Sequence, residues 1–485
     1  NFSNPSPSWT PATGGAAFEL RLTDPHEPVP PRGHPILAWI AIFILIGILY
    51  ATALLSPPEE EEQMLAQGAS VLGQLEGRFL VGSNLLARDL GPEFHKGFRE
   101  GLQQSQTDGH GPISQRLQAI AAAGEISGPD QALHAVRSLR DEVETSVHDL
   151  TPEEDRLLRL TESLFAKTQA KQDPNTDFKP DDRDFLIRQL GWSGRLILAP
   201  EDLSPPERRL PVIQPARRFA LILCLVLFGG SLGLLIGCAS IIMFFPMIAL
   251  GWSRFGLPPG SRAGNAAAHG VYLEAFAVWL AVFQLGSFLL AQLPLGKMVF
   301  LGLGLNFLGS MFIGILWPLL RGIPWSVLRT DIGWTKGAGI LVEPFFAVVG
   351  YLMTLPLLGF GLLLTILSMA IAGSLAPPEV AADPFAPIPL PMHPIVVWVA
   401  GGDRFVMFQV VLLACVLAPL IEETMFRGFL YRYLRDASRW TGPVFSFLFS
   451  VLLNSFIFAA IHPQGPFAIP PLMAIACGLT LLREW

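Results

Sequence analysis

The chain has 485 residues, 51% of them hydrophobic and only 15% charged. An ordinary soluble domain carries about 25% charged residues, so the deficit excludes a plain soluble enzyme and points to the lipid bilayer as solvent. The net charge of −7 comes mostly from acids in one segment outside the apolar runs, and nothing in the chain reads as a nucleic-acid-binding surface.

Residues 1–35 are rich in Pro, Gly and Ser and read as a disordered tail. Ile36–Leu55 is the first apolar run of about 20 residues, the length that crosses the hydrocarbon core as a helix. It follows a Pro-rich polar stretch and is long enough to span, which argues against a cleaved signal peptide. From 56 to 217 the chain turns polar and reads as an inserted extramembrane domain of five or six helices. There "LTPEEDRLLRLTESLF" offers Thr151 as N-cap, Pro152 at the first helical position and Glu154 three residues after the cap, a capping box. Leu157, Leu160, Leu164 and Phe165 recur behind it at helical spacing, as Ala132, Val136, Leu139 and Val143 do one helix earlier. His95, His110, His134 and His148 show no ligand spacing and read as solvated surface histidines.

Apolar runs at Ala220–Leu250, Val271–Leu293, Val299–Leu320, Ile340–Ala372, Phe405–Ile421 and Val444–Ile461 predict further spans. Ile469–Leu482 is an eighth run of 14 residues, and residue 1 is Asn rather than Met. Trimming at both ends is therefore expected, with at least one more membrane helix to follow. The expected fold is all-α, a polytopic membrane helix bundle whose helices group into 218–330 and 331–485. Glu274, Gln284, Gln292, Asn306 and Gln409 lie within spans and are expected to form interhelical hydrogen bonds. Glu343, near a helix start, suits the positive helix end. "GLPPGSRAG" and "SLAPPEVAADPFAPIPLPMHP" read as connectors. All four cysteines, Cys224, Cys238, Cys415 and Cys477, fall in apolar runs, so they define no disulfide framework.

Orientation follows the Lys/Arg bias of short loops. Arg21, Arg32, Arg254, Arg262, Arg321, Arg329, Lys336, Arg427, Arg432, Arg435 and Arg439 fall on the side of the N-terminus, against Lys297 and Arg404 in short loops opposite. That places the N-terminus in the cytoplasm and the helical domain outside it. Arg208, Arg209, Arg217 and Arg218 object from the wrong side.

The chemistry concentrates in "APLIEETMFRGFLYRYLRD". Intramembrane carboxylates are costly and usually functional. Glu423 and Arg427 are four apart and can pair on a helix, while Glu422, rotated by about 100°, is free to face a cavity. The plainer alternative is a salt bridge at a helix end with Arg427 snorkelling. On the next span Asn454, Phe458 and His462 stand at i, i+4 and i+8, one stripe of a helix. His462 alone is most simply a hydrogen-bonded core histidine. Together with Glu422 it makes a carboxylate and an imidazole that could activate a water between neighbouring spans, because desolvation raises a carboxyl pKa toward that of a general base.

"EETMFR" and "FAAIH", 39 residues apart from Glu423 to His462, resemble the E-E-x-x-x-R and F-x-x-x-H motifs of the CPBP family, the CAAX proteases and bacteriocin-processing enzymes also called the Abi family. The similarity runs from about Ile332 to Trp485. The resemblance implies a membrane endopeptidase like the type II CAAX enzymes, acting on a peptide or protein substrate at the bilayer. By that resemblance Glu422 is the base, His462 assists it, Glu423 with Arg427 fixes the geometry, and Phe458 and Asn454 support. The family's later H-x-x-x-N motif is not in this chain. No cofactor is expected. Zinc catalysis needs three protein ligands, whereas one of the two glutamates is committed to Arg427, so a metalloprotease is the second choice. A non-proteolytic scaffold or immunity-type protein, binding a partner through the helical domain, is the alternative from another class. The expected location is a multi-pass position in a membrane, the cell or inner membrane if the chain is bacterial.

Overall fold

The computed structural model describes residues 32–54, 58–105, 111–146, 150–251, 256, 270–337, 339, 342–375, 385, 395–400, 402–462 and 464–484. Among these no strand occurs, and the fold is an all-α polytopic bundle. Among the described residues eight helices are long and apolar enough to cross a membrane: α1 (Pro35–Leu54), α9 (Pro206–Ala249), α10 (Val271–Ala291), α11 (Val299–Leu320), α13 (Val342–Leu375), α15 (Arg404–Ala437), α16 (Pro443–Ala460) and α17 (Ile469–Glu484). A short helix, α12 (Trp325–Asp331), links α11 to α13, and α14 (Ile395–Ala400) precedes α15.

Contacts at the two ends of the bundle fix which loops share a face. At one end the His34 amide donates to Glu274 at 2.6 Å, Trp317 Nε1 donates to the same carboxylate at 3.0 Å, and Arg321 donates to the Arg32 carbonyl at 2.7 Å. Tyr272 donates to Asp331 at 2.7 Å, Arg483 donates to the Asp331 carbonyl at 2.8 Å, and the Gly256 amide donates to the Glu484 carbonyl at 2.7 Å. The starts of α1 and α10 therefore lie beside the ends of α11 and α17. At the other end Lys297, in the turn before α11, pairs with Asp403 at the start of α15, 2.5 Å apart. So α1, α10, α13 and α16 run toward this second face, and α9, α11, α15 and α17 return from it.

The helical domain sits on the second face, between α1 and α9. Its helices are α2 (Pro58–Leu90), α3 (Pro92–Ser105), α4 (Ile113–Ser127), α5 (Pro129–Thr145), α6 (Pro152–Gln169), α7 (Pro180–Leu190) and α8 (Trp192–Ile197), seven among the described residues rather than five or six. The capping box on α6 is present, Thr151 accepting from the Glu154 amide while Glu154 accepts from the Thr151 amide. Leu157, Leu164 and Phe165 are buried against Ala132, Val136, Leu139 and Val143 of α5. The expected boundary at 217/218 falls inside α9, whose first turns still belong to this packing: Arg209 forms a buried ion pair with Glu125 and donates to the Ala199 carbonyl at 2.8 Å. His95 is not a solvated surface histidine. It is half-buried and shares a hydrogen bond of 2.9 Å with Asn84. His134 is exposed, and His110 and His148 lie outside the described residues.

Polar residues inside the spans tie helices together, since in lipid an unpaired polar group has no water to fall back on. Asn306 donates to the Phe283 carbonyl and to Ser287, at 3.0 and 3.1 Å, and Gln284 donates to the Leu45 carbonyl at 3.3 Å. Gln409 bridges the Lys297 carbonyl and the Leu301 amide, each at 2.8 Å. Gln292 differs from expectation. It turns back to the Phe288 carbonyl of its own helix, because it sits at the exposed end of α10. Close helix approach comes from small residues: a Cβ on Gly361 of α13 would stand 2.8 Å from the Pro470 carbonyl oxygen at the start of α17.

Candidate active site

The expected span Phe405–Ile421 ends one residue before the glutamates, whereas the helix continues to Ala437. The apolar run that defined the span stops at the first charge. The charges are absorbed by partners inside the bundle. Asp403 caps the start, accepting from the Phe405 and Val406 amides at 2.9 and 3.3 Å. Two stretches of α15 are π-helical, Leu413–Leu417 and Glu423–Leu430. The second coincides with the E-E-x-x-x-R motif. A π turn bonds i to i+5 and is found mostly as a local bulge at functional sites. Neither stretch was legible from apolar periodicity.

Arg427 is only 2% exposed. Its Nη1 stands 3.4 Å from Glu423 Oε1, its Nη2 donates to the Ala476 carbonyl of α17 at 3.3 Å, and its guanidinium lies 4.9 Å from the Phe458 ring centroid. The next residue is glycine because α15 passes close to the end of α12: a Cβ on Gly428 would stand 3.1 Å from the Ile332 Cβ. Thr424 accepts a hydrogen bond of 3.2 Å from Trp334 Nε1 in the same connection.

His462 follows the last turn of α16. Its Nδ1 lies 2.6 Å from the Phe458 carbonyl. A carbonyl oxygen only accepts, so Nδ1 carries the proton and Nε2 points away with its lone pair. Nε2 stands 4.0 Å from Glu422 Oε1, beyond a direct hydrogen bond. Both side chains keep partial exposure, 19% for His462 and 24% for Glu422. The Phe458 ring fills the space behind, 4.4 Å from the imidazole centroid and 5.0 Å edge-on from Phe426.

Glu422, Glu423, Arg427, Phe458 and His462 thus come together between α15 and α16. The Asn454 side chain bonds elsewhere. It is fully buried and donates to Thr480 of α17 at 3.1 Å, and Thr480 donates to the Ala476 carbonyl at 2.7 Å, the same oxygen that receives Arg427. Sequence reading missed Thr480 and Ala476, which lie in an apolar run without a motif. It also missed the lock at the far end of α15. There Tyr431 and Arg435 donate to Glu484 at 2.5 and 2.7 Å, Arg435 donates to Ser446 at 2.8 Å, and Arg432 bonds Asp436 at 3.1 Å. The partners of this lock are up to about 50 residues apart along the chain, so no local pattern announces them.

Among the described residues, no group of three or more His, Cys, Asp or Glu side chains is placed to hold a metal ion. In comparison with known protein families, residues 404–485 fit the family model described as Type II CAAX prenyl endopeptidase Rce1-like. The match begins at α15, later than the Ile332 expected from the resemblance. Neither the curated proteins nor the solved structures contain a match to the chain. The segment 404–485, which holds both motifs, is thus similar to the Rce1-like type II CAAX prenyl endopeptidases of the CAAX-protease (CPBP) type.

Proposed function

We propose that this protein is an intramembrane endopeptidase in which Glu422 and His462 activate water for attack on a peptide carbonyl. The observation that carries the reading is the 4.0 Å separation of Glu422 Oε1 and His462 Nε2, with the imidazole held in one tautomer by the Phe458 carbonyl. Two polar atoms beyond direct bonding distance are suited to share one water. Glu422 accepts a proton from that water as its oxygen attacks the carbonyl carbon, and then returns the proton to the leaving amine. Nε2 offers the second contact that orients the water's lone pair toward the carbonyl. Glu423 and Arg427 hold the α15 backbone that presents Glu422.

The donor set favours a metal-free reaction. Glu423 is engaged by Arg427, which leaves one carboxylate and one imidazole, short of the three protein ligands of a catalytic zinc site. The substrate is a peptide or protein at the membrane. The test is cleavage of a membrane-anchored peptide library by the full chain in native membranes, with Glu422→Gln alongside. Glu422-dependent cleavage supports the reading. Cleavage untouched by Glu422→Gln removes Glu422 as the base, and a folded wild type that cleaves nothing moves the assignment to the non-proteolytic scaffold.

A further inference from the structure

We propose that substrate reaches the Glu422–His462 pair from the membrane face that carries the helical domain; this rests on the endopeptidase reading and adds the side of entry. The face contacts fix the side of each loop, and the short turn after α16, which bears His462, points toward the domain's face from within the bundle. A separate contact supports the same assignment. Phe385, from the Pro-rich connector between α13 and α14, is 3% exposed within the core of the helical domain, with the Arg116 guanidinium 5.2 Å from its ring. Helix α14 packs on α2 of the domain. The connector that leads into α15 and the helical domain therefore stand on one face.

The depth of the site adds direction. Helices α16 and α17 form a hairpin whose turn lies at the level of Glu422. Thr365 of α13 donates to the Phe467 carbonyl in that turn at 2.8 Å, and α13 continues to Leu375, about 15 Å further at 1.5 Å per residue. From Glu422 back to Asp403, α15 rises about 28 Å toward the same face. The pair thus sits below the tops of α13 and α15 and keeps partial exposure, and the proposed recess above it opens toward the domain. On the other flank the way is closed. Arg427, Tyr431, Arg432 and Leu434 are buried, and the Tyr431–Glu484–Arg435 lock seals α15 against α17. The chemistry that fits is a peptide anchored in the leaflet on the domain's side, with its scissile bond dipping into the recess.

The experiment uses full-length protein in sealed cells or vesicles, with Cys224, Cys238, Cys415 and Cys477 replaced by serine. Single cysteines are introduced by Gln464→Cys in the turn, Asp141→Cys in the helical domain and Arg439→Cys at the opposite end, with Pro466→Cys as a second turn position. A membrane-impermeant maleimide is expected to label the turn and domain cysteines from one side to completion, and Arg439→Cys from the other. A bulky adduct at the turn is expected to lower cleavage at least tenfold when applied from the domain's side. Labelling of the turn and the domain from opposite sides overturns the proposal whatever the activity. A preparation without Glu422-dependent cleavage sinks the endopeptidase reading and the substrate-entry proposal with it, and the labelling then reports only on the face assignment.

Discussion

The Arg427 guanidinium rests 4.9 Å from the Phe458 ring centroid, and the same ring stands 4.4 Å from the His462 imidazole. One aromatic side chain thus backs both the buried arginine of one motif and the histidine of the other. Phe458→Ala removes a buried ring that also meets Phe426, at a cost of about 3–5 kcal/mol for such truncations. Phe458→Ala is expected to lower both the thermal midpoint and cleavage, and Phe458→Leu to restore more stability than activity. Phe445→Ala, on a lipid-exposed position, is the control expected to change neither. Thermal unfolding in detergent and peptide cleavage on the same samples read this out.

The two adjacent glutamates are expected to separate cleanly. Glu422→Gln keeps the shape of the site and removes its base, so cleavage falls by about 10²–10⁴-fold with no loss of thermal midpoint. Glu423→Gln withdraws the carboxylate that stands 3.4 Å from buried Arg427 and lowers the midpoint, because a cation left in an apolar site has lost its counter-charge. Full proteolysis by Glu422→Gln, or an unchanged midpoint in Glu423→Gln, contradicts this division.

Thr480 tests the brace beneath the site. It accepts from Asn454 and donates to the Ala476 carbonyl, the oxygen shared with Arg427. Thr480→Val keeps the shape and strands the Asn454 amide, a loss of about 1–3 kcal/mol for an unpaired buried polar group. Thr480→Ser keeps both bonds. Serine is expected to hold most of the midpoint that valine loses, and equal midpoints for the two variants would show that the hydroxyl carries no bond of consequence.

The spans, the capping box at Thr151 and the pairing partner of Glu423 were all legible in the sequence, because each rests on spacing within one helix. The end of the sixth span was not. The apolar run stops at Ile421, before the charges from Glu422 to Arg439. In the fold those charges find Asp331, Ser446 and Glu484 across the bundle, and α15 runs on to Ala437. Local spacing carries no trace of such partners, nor of the π turn at Glu423–Leu430, which depends on how α15 packs against α10 and α12. The nearness of Glu422 to His462 was suggested by two motifs on successive helices, but the carbonyl that orients the imidazole was not.

Metal dependence is decided by chelation. With Glu423 held by Arg427, the pair Glu422 and His462 falls one ligand short of a catalytic zinc site. Cleavage in EDTA or 1,10-phenanthroline is expected to match the untreated enzyme. One equivalent of zinc by elemental analysis, lost with His462→Ala, would reverse the assignment.

The absolute orientation turns on the arginines that oppose it. Arg208, Arg209 and Arg217 stand on the domain's face, where the short-loop bias requires few cations. Arg208 pairs with Asp173 at 3.0 Å, Arg217 with Asp89 at 2.5 Å, and Arg209 with buried Glu125. Three of the four thus belong to the packing of the long helical domain, and long domains weigh little in the short-loop bias. On the opposite face Arg329 and Lys336 are exposed, and Arg439 is exposed while pairing with Asp436 at 2.9 Å. The helical domain is therefore expected outside the cytoplasm. An impermeant maleimide applied to intact cells should label the Asp141→Cys variant as fully as it does after permeabilisation. Protection until the membrane is opened would place the domain, and with it the recess above Glu422, on the cytoplasmic side.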